Sequence, residues 1–134
     1  MNKTRVFAVL IIIIMLLTGC AKSVGDAVVT VSGKEYTKAD LEKLGMIDVD
    51  YTDKDGNITT YSGVVLTDLL ADSGLSGTTI TFTAADGYQA DIELAELTAC
   101  SNCILAFDGD SLRTVMPEMS GKLQVKEVTE ITGN

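Results

Sequence analysis

Alternating apolar and polar residues divide most of the chain into short β-strands. A β-branched run over 27–31 predicts the first strand, and alternation over 47–51 predicts a second strand with one wet face. Residues 58–61 are the expected partner of that second strand. The clearest hairpin spans 79–94, where two alternating runs flank an Asp86-Gly87 turn. These runs predict a sheet built mainly from antiparallel strands.

The C-terminal third continues this pattern with one irregularity. Residues 104–107 are apolar on both faces, as in a central strand, and a turn leads from them into 112–116. Residues 123–125 then alternate between apolar and polar side chains, which predicts a further strand. Val128 and Ile131 fall out of phase with that alternation, so we expect a β-bulge there.

Two short helices interrupt the strands. Thr37 is the expected N-cap of the first, with Asp40 three residues later as in a capping box and Gly45 at its end. Leucines over 66–70 share one helical face, and Gly74 occupies the position expected just after a helix. The sequence therefore predicts an α+β fold, a small and mainly antiparallel β domain with two or three short helices.

The first residues differ in character from the rest. Lys3 and Arg5 precede an uncharged apolar run over 6–17, as in a secretory signal, and this run is shorter than the about 20 residues of a membrane span. The sequence Leu-Thr-Gly-Cys follows over 17–20 and resembles the lipobox of bacterial lipoproteins. The resemblance implies cleavage before Cys20 and lipidation of its thiol. An ordinary signal peptide or an uncleaved anchor helix is the alternative.

The predicted organisation has three parts. A lipoprotein signal peptide spans 1–19, the lipidated cysteine and a tether span 20–27, and one domain spans 28–134. Several acyl chains on Cys20 would give stable anchoring. The expected location is therefore the extracytoplasmic face of the cell membrane, with the lipid as the anchor.

The composition excludes several functional classes. The chain has 10 basic and 19 acidic side chains, and two of the basic ones lie in the leader. Such an acidic surface repels phosphate backbones, so no nucleic-acid partner is expected. The chain contains no histidine, which excludes His-based nucleophile activation and zinc sites that use imidazole.

The Asp-Lys-Asp-Gly stretch over 53–56 resembles part of a calcium-binding loop. Placing Gly56 at the sixth position of an EF-hand puts Tyr51 first and Ser62 last, where the loop needs oxygen ligands and a bidentate glutamate. Both closing ligands are missing. We therefore expect an ordinary hairpin turn and no metal, with a calcium site outside the EF-hand class as the alternative.

Cys100 and Cys103 form a C-S-N-C motif between a short helical stretch and a buried strand. Cys20 is assigned to the lipid, so these two are the pair that remains, and an extracytoplasmic setting lets a disulfide persist. Thioredoxin-type motifs precede a helix, which is the reverse of this order. We expect a local disulfide or two buried thiols, and thiol redox chemistry is the alternative.

Five segments in order resemble the molybdopterin-binding domain of the sulfite oxidase family. They are YSGVVLTDLL, ITFTAADGYQADIEL, ILAFDGDSL, LRTVMP and VKEVTEI, and the likeness covers roughly residues 28–131. The resemblance implies the fold of that domain and a pocket for the pterin phosphate. It places Arg113 and Lys126 on two basic residues of that pocket and Asp86 on a third pocket residue. Outward-facing strand positions for the two cations, and a turn former for Asp86, are the alternative roles.

Two departures from the family pattern bear on function. Lys54 stands where the family has the cysteine that binds molybdenum, and an ammonium group cannot replace a thiolate as a metal ligand. Glu118 stands where the family has a glycine after its proline, here Pro117, and it adds negative charge. A histidine of the family's pocket has no counterpart.

The sequence thus predicts a membrane-tethered lipoprotein whose molybdopterin-type domain is degenerate and non-catalytic. Its expected task is to bind a ligand or a partner protein, such as a membrane redox or transport protein, and no cofactor is expected. An oxidoreductase subunit that retains molybdopterin or another cofactor is one alternative. A thiol redox protein that uses Cys100 and Cys103 is the other.

Overall fold

The computed structural model describes residues 26–134, which form a small α+β domain with mostly antiparallel sheets and three short helices. The predicted signal peptide and Cys20 lie outside the described residues. Within 26–134, no helix is both long and apolar enough to cross a membrane. The strands are β1 (Ala27–Val31), β2 (Lys34–Thr37), β3 (Met46–Thr52), β4 (Ile58–Val65), β5 (Thr79–Ala84), β6 (Gln89–Glu93), β7 (Ile104–Asp108), β8 (Ser111–Val115) and β9 (Val128–Gly133). The helices are α1 (Lys38–Lys43), α2 (Leu66–Ser73) and α3 (Leu94–Thr98).

The strands form two sheets. Sheet A has the order β2-β1-β9-β5-β6, and sheet B has the order β3-β4-β7-β8. Sheet B is antiparallel throughout. In sheet A, β1 and β9 pair in parallel, with Thr30 opposite Glu130 and Val31 opposite Ile131. The last strand is therefore an inner strand of sheet A.

The main hydrophobic core collects side chains from both sheets and all three helices. Phe82 and Ile131 of sheet A, Leu105 of sheet B and Leu69 of α2 are among its fully buried members. Burial of each such side chain stabilises the fold by about 1.5–3 kcal/mol. Sheet B also carries a second, smaller cluster of buried apolar side chains, which we call the outer cluster. Its members are Val49, Ile104, Ala106 and Val115.

Local sequence signals placed several elements correctly. Thr37 caps α1 and exchanges the reciprocal hydrogen bonds of a capping box with Asp40. Gly74 ends α2 in the left-handed conformation, with φ 72°. The turn with Asp86 joins β5 to β6, although Leu94 begins α3 instead of extending β6. These predictions are confirmed except at that one boundary.

The strand predicted over 123–125 is wrong. Gly121–Leu123 form one 3₁₀ turn, and the side chain of Gln124 then takes the place of strand pairing. Its Nε2 donates to the carbonyl oxygen of Met116 (2.7 Å), and its Oε1 accepts from the N–H of Met116 (2.9 Å). A side-chain amide thus satisfies backbone groups that a strand would otherwise pair.

The predicted β-bulge is present at the start of β9. Thr83 pairs with Glu130, whereas the next residue of β5, Ala84, pairs with Val128. Thr129 is therefore the extra residue on the bulged strand. Because of it, Val128 and Ile131 are both buried although they are three residues apart.

Candidate functional site

The candidate site is built around Arg113, in the middle of β8. Arg113 pairs with Ala106 on β7, and Ala106 pairs in turn with Gly63 on β4. Side chains directly opposite one another share a face of the sheet. Ala106 has only a methyl group as its side chain, and Gly63 has only a hydrogen atom. The long Arg113 side chain can therefore lie across both residues toward β4 and β3.

Two tyrosines receive the guanidinium group. Arg113 Nη1 donates to the hydroxyl oxygen of Tyr61 on β4 at 3.0 Å. The guanidinium carbon lies 4.8 Å from the ring centre of Tyr61 and 5.8 Å from that of Tyr51 on β3. Both distances fall in the range where an aromatic face attracts a cation. Tyr61 is opposite Val49 in the β3–β4 register, so the tyrosines follow the outer cluster along the same face.

Arg113 is buried without a counterion. It is 6% exposed, and no carboxylate of residues 26–134 lies within 4.0 Å of it. Its Nε is buried and has no hydrogen-bond partner. Removing a charge from water costs several kcal/mol, and two tyrosines offset only part of this. An anion that accepts from the remaining N–H groups would complete the site.

Asp86 and Lys126, the other residues assigned to a pocket by the family resemblance, are both exposed. Asp86 lies in the β5–β6 turn, where its Oδ1 accepts from the N–H of Tyr88 at 3.0 Å. Lys126 lies in the segment before β9 and not in a strand. Each therefore has a role or a position that a surface residue would have.

Backbone hydrogen bonds bring the segments with these three residues close to one another. The N–H of Ala85 donates to Glu127, and the N–H of Thr114 donates to Val125, both at 2.9 Å. Each of these two hydrogen bonds is made by direct sequence neighbours of Asp86, Lys126 and Arg113. Within 26–134, however, no hydrogen bond or ion pair joins their side chains. The segments meet, but the three side chains form no cluster.

The loop with Lys54 is a tightly bonded hairpin turn. Asp53 Oδ1 accepts from the N–H groups of Asp55 (2.8 Å) and Asn57 (2.9 Å), and its Oδ2 accepts from Asn57 Nδ2 (3.0 Å). The hydrogen bonds from Asn57, followed by those from the turn backbone, lower the pKa of Asp53. Lys54 itself is exposed. In the part of the chain that the structure describes, no three His, Cys, Asp or Glu side chains are grouped as metal ligands.

A disulfide joins Cys100 and Cys103 between α3 and β7. Cys103 is fully buried, and Cys100 is half-buried. Cys100 lines an open groove of about 410 Å³ together with residues of the segment after β8. The groove is lined mainly by Glu96, Cys100, Asn102, Pro117, Glu118 and Met119.

The structure also contains a second polar cluster, which the sequence pattern did not predict. Lys34 Nζ and the Tyr36 hydroxyl both donate to Asp72 Oδ2, at 2.9 and 2.7 Å. Burial raises the pKa of Tyr36, and its hydrogen bond to Asp72 raises it further. The hydrogen bonds from Lys34 and then Tyr36 lower the pKa of Asp72. No local motif connects residues 36 or 38 positions apart.

The tyrosines around Arg113 were predicted only as strand residues. One signal could have suggested their role: Tyr51 has the same strand parity as Val49, and Tyr61 lies on the partner strand. Together these two positions would have placed both tyrosines near one face of a hairpin. Which strand would bring a cation to that face depends on the order of the sheet, which no local pattern contains.

No protein-family model matches this chain, and no curated protein matches it significantly. The fold and the site together define a small α+β domain with a buried arginine beside two tyrosines and, within residues 26–134, no carboxylate partner for it.

Proposed function

We propose that this protein is a lipoprotein tethered to the extracytoplasmic face of the cell membrane, where its domain binds an anionic group without catalysis. The anionic group belongs to a small ligand or to a partner protein. The domain is of the sulfite oxidase molybdopterin-binding type and has lost its metal ligand. The observation that carries this proposal is the buried guanidinium group of Arg113, which has no carboxylate partner in the part of the chain that the structure describes.

The energetics of Arg113 favour a binding role over a packing role. At a position that only fills space between sheet strands, an apolar side chain gives a more stable protein than a charged one, because a buried charge carries a desolvation cost. Arg113 keeps that cost, and its Nε remains without a hydrogen-bond partner. Its planar fork of N–H donors matches carboxylate and phosphate oxygens. The ligand we expect is therefore a carboxylate or phosphate, and a ring attached to it would find the faces of Tyr51 and Tyr61.

The backbone after β8 supports the proposed fold type. Glu118 adopts the left-handed conformation, with φ 70°, and glycine is the residue that favours this conformation. Glycine is also the residue that the sulfite oxidase family has at this place after its proline. The turn that follows Pro117 thus keeps a glycine-type backbone although the side chain has changed.

The residues present suit an anionic group but not a molybdenum centre. Lys54, which aligns with the metal-binding cysteine, lies exposed in the β3–β4 turn. The two cysteine sulfurs among residues 26–134 are bonded to each other, at Cys100 and Cys103. Neither Asp86 nor Lys126 makes a hydrogen bond to Arg113 in the structure. The residues of this domain therefore do not fit redox chemistry at a molybdenum centre.

Thermal unfolding of the full-length protein in detergent tests the binding role. Inorganic phosphate and benzoate are the probes, each compared with chloride at equal ionic strength. A ligand present at ten times its Kd should stabilise the protein by about 1.4 kcal/mol. Arg113→Met should abolish this stabilisation, whereas Lys126→Met, the matched change at an exposed cation, should retain it. Equal stabilisation of both variants, or none of the wild type, would contradict the proposal.

Elemental analysis separates the binding module from the oxidoreductase alternative. The protein is expressed in a host that makes molybdopterin, and the molybdenum content and the pterin fluorescence after denaturation are measured. We expect neither above background. Near-stoichiometric molybdenum with pterin fluorescence would favour the enzyme instead.

Incorporation of labelled palmitate in a bacterial host tests the tether. The label should appear in the wild-type protein and disappear in Cys20→Ser, which should also leave the membrane fraction. Cys100→Ser is the matched control and should keep both the label and the membrane location. Membrane retention of an unlabelled Cys20→Ser protein would point to an uncleaved anchor helix.

A further inference from the structure

Three sulfur atoms meet at the groove beside α3. Cys100 and Met119 both line it, and Cys103 Sγ lies 4.0 Å from Met119 Sδ. Met119 is half-buried, and its N–H donates to the carbonyl oxygen of Met116 at 3.2 Å in the turn after β8. That turn holds the thioether against the disulfide.

One distance among these atoms already matches the spacing of ligands around one metal ion. Sulfur ligands about 2.3 Å from a metal, as in zinc thiolates, stand roughly 4 Å apart when three surround it in a plane. The distance from Cys103 Sγ to Met119 Sδ already has this value. The Cα atoms of the two cysteines are 5.6 Å apart, so a reduced Cys100 can place its Sγ at a similar distance by rotation of its side chain.

We propose that reduction of this disulfide creates a binding site for one monovalent copper ion, with Cys100, Cys103 and Met119 as its ligands. An external dithiol supplies two electrons and two protons, becomes a disulfide itself, and leaves two thiols in the protein. Cu(I) then displaces both thiol protons to solvent and binds two thiolates and one neutral thioether. Cys100 is only half-buried, whereas Cys103 is fully buried, so the dithiol attacks the Cys100 sulfur.

The ligand set selects copper over zinc. Thiolate and thioether sulfurs are soft ligands that suit Cu(I), whereas structural zinc sites have four ligands that include thiolate, imidazole or carboxylate. The chain contains no histidine and only three cysteines. Glu96 and Glu118 line the same groove and attract a cation toward it without supplying soft ligands.

The test uses the full-length protein in detergent with Cys20→Ser as a common background, so that Cys100 and Cys103 are its only thiols. The protein is reduced with a phosphine and titrated anaerobically with Cu(I) against a chromophoric chelator. We expect one Cu(I) per chain after reduction and none before it. Met119→Leu should weaken binding at least about tenfold. Met46→Leu, a matched change at a half-buried methionine on β3, should leave the affinity unchanged.

X-ray absorption of the copper-loaded protein counts its sulfur ligands independently of any variant. Three sulfur neighbours in the parent and two in Met119→Leu are the expected result. Two sulfurs in the parent, or equal affinity of the parent and Met119→Leu, would overturn the assignment of Met119. Absence of stoichiometric copper from the reduced parent would overturn the site itself, and circular dichroism of each protein shows that it is folded.

Discussion

Two cations of the described domain lie over tyrosine rings, and their surroundings differ. Lys34 is 4.8 Å from the ring centre of Tyr36, and both groups donate to Asp72. Arg113 is also 4.8 Å from a tyrosine ring centre, that of Tyr61. Among residues 26–134 it has no carboxylate partner.

Exposure makes this difference informative. The side chains of Lys34 and Asp72 are 50% and 38% exposed, so water hydrates both charges. Arg113 is 6% exposed, so it is the cation that needs a counterion more. A fold shaped for stability alone would have an apolar side chain at this buried position. The pair of Lys34 and Asp72 links β2 to α2, whereas the charge of Arg113 has no such partner among residues 26–134.

The largest expected effect comes from Gly63→Ala beneath Arg113. A Cβ at Gly63 would lie 2.6 Å from the Cα of Ala106 and closer still to the carbonyl oxygen of Leu105. Both atoms belong to the backbone of β7 and cannot rotate away, so we expect a loss of about 3 kcal/mol in urea denaturation. The stabilisation by phosphate should disappear as well.

Gly121→Ala is the control for this change, because a Cβ there meets nothing within 4 Å and Gly121 has no left-handed φ. Its free energy of unfolding should change by less than about 0.5 kcal/mol. Similar losses in both variants would mean that the close approach of β4 to β7 is not what positions the Arg113 site.

Tyr36→Phe should have the next largest effect. It should lower the free energy of unfolding by about 1.5 kcal/mol, because it removes the hydrogen bond to the Asp72 carboxylate. The pKa of Asp72 is lowered by its hydrogen bonds in the folded state. Stabilisation from such a group is present above its unfolded pKa of about 3.9 and is lost as the pH falls through its folded pKa. The difference between wild type and Tyr36→Phe should therefore shrink below about pH 3.9.

Tyr88→Phe is the control for the pH dependence. The Tyr88 hydroxyl donates to the backbone oxygen of Lys122 at 3.0 Å, which does not titrate. Its effect in urea denaturation should be the same at pH 3 and pH 7, to within about 0.5 kcal/mol. If the effect of Tyr36→Phe were also independent of pH, the hydrogen bond to Asp72 would not be the one that stabilises the fold.

Arg113→Met should leave the free energy of unfolding unchanged or raise it by up to about 1 kcal/mol. It removes a buried charge that has no counterion among the described residues, and replacement of buried charged groups by apolar side chains is often neutral or stabilising. Lys34→Met, the matched change at the paired cation, should lower the stability slightly. A loss of several kcal/mol in Arg113→Met would make Arg113 a structural residue and erase the distinction between the two sites.

Small effects are also expected at the turns next to the two sites. The helix that carries Asp72 ends on a left-handed glycine, Gly74, whereas the strand that carries Arg113 is followed by a left-handed glutamate, Glu118. Glu118→Gly should therefore raise the stability by about 0.5–1 kcal/mol, and Gly74→Ala should lower it similarly. Thermal unfolding measures both, and a stability loss in Glu118→Gly would mean that its side chain stabilises the turn.

Predictions that depended on neighbouring residues were mostly confirmed. The capping box at Thr37 and the turn at Asp86 act within four residues, so the local sequence contains their whole physical cause. The strand predicted over 123–125 was wrong because the Gln124 side chain pairs with Met116, eight residues earlier. Alternation alone cannot distinguish a strand from a segment held in this way.

The candidate site was predictable only in part. Arg113 entered through the family resemblance, and β3 and β4, which carry the tyrosines, were expected to pair. The meeting of Arg113 with Tyr61 needs β7 and β8 to follow β4 in sheet B, and this order arises from long-range pairing. The link between Lys34 and Asp72 is of the same kind. Contacts that close loops of 36 or more residues leave no periodic pattern in the sequence.

The position of β9 has a consequence for how the chain folds. This strand lies between β1 and β5 and contributes Ile131 to the core, yet a ribosome or a secretion channel releases it after all the others. Until it arrives, β1 has its hairpin partner β2 but no link to the other half of sheet A. Pairings over about a hundred residues are slow to form. A chain exported as proposed would therefore stay unfolded during its passage across the membrane and complete sheet A only on the extracytoplasmic side.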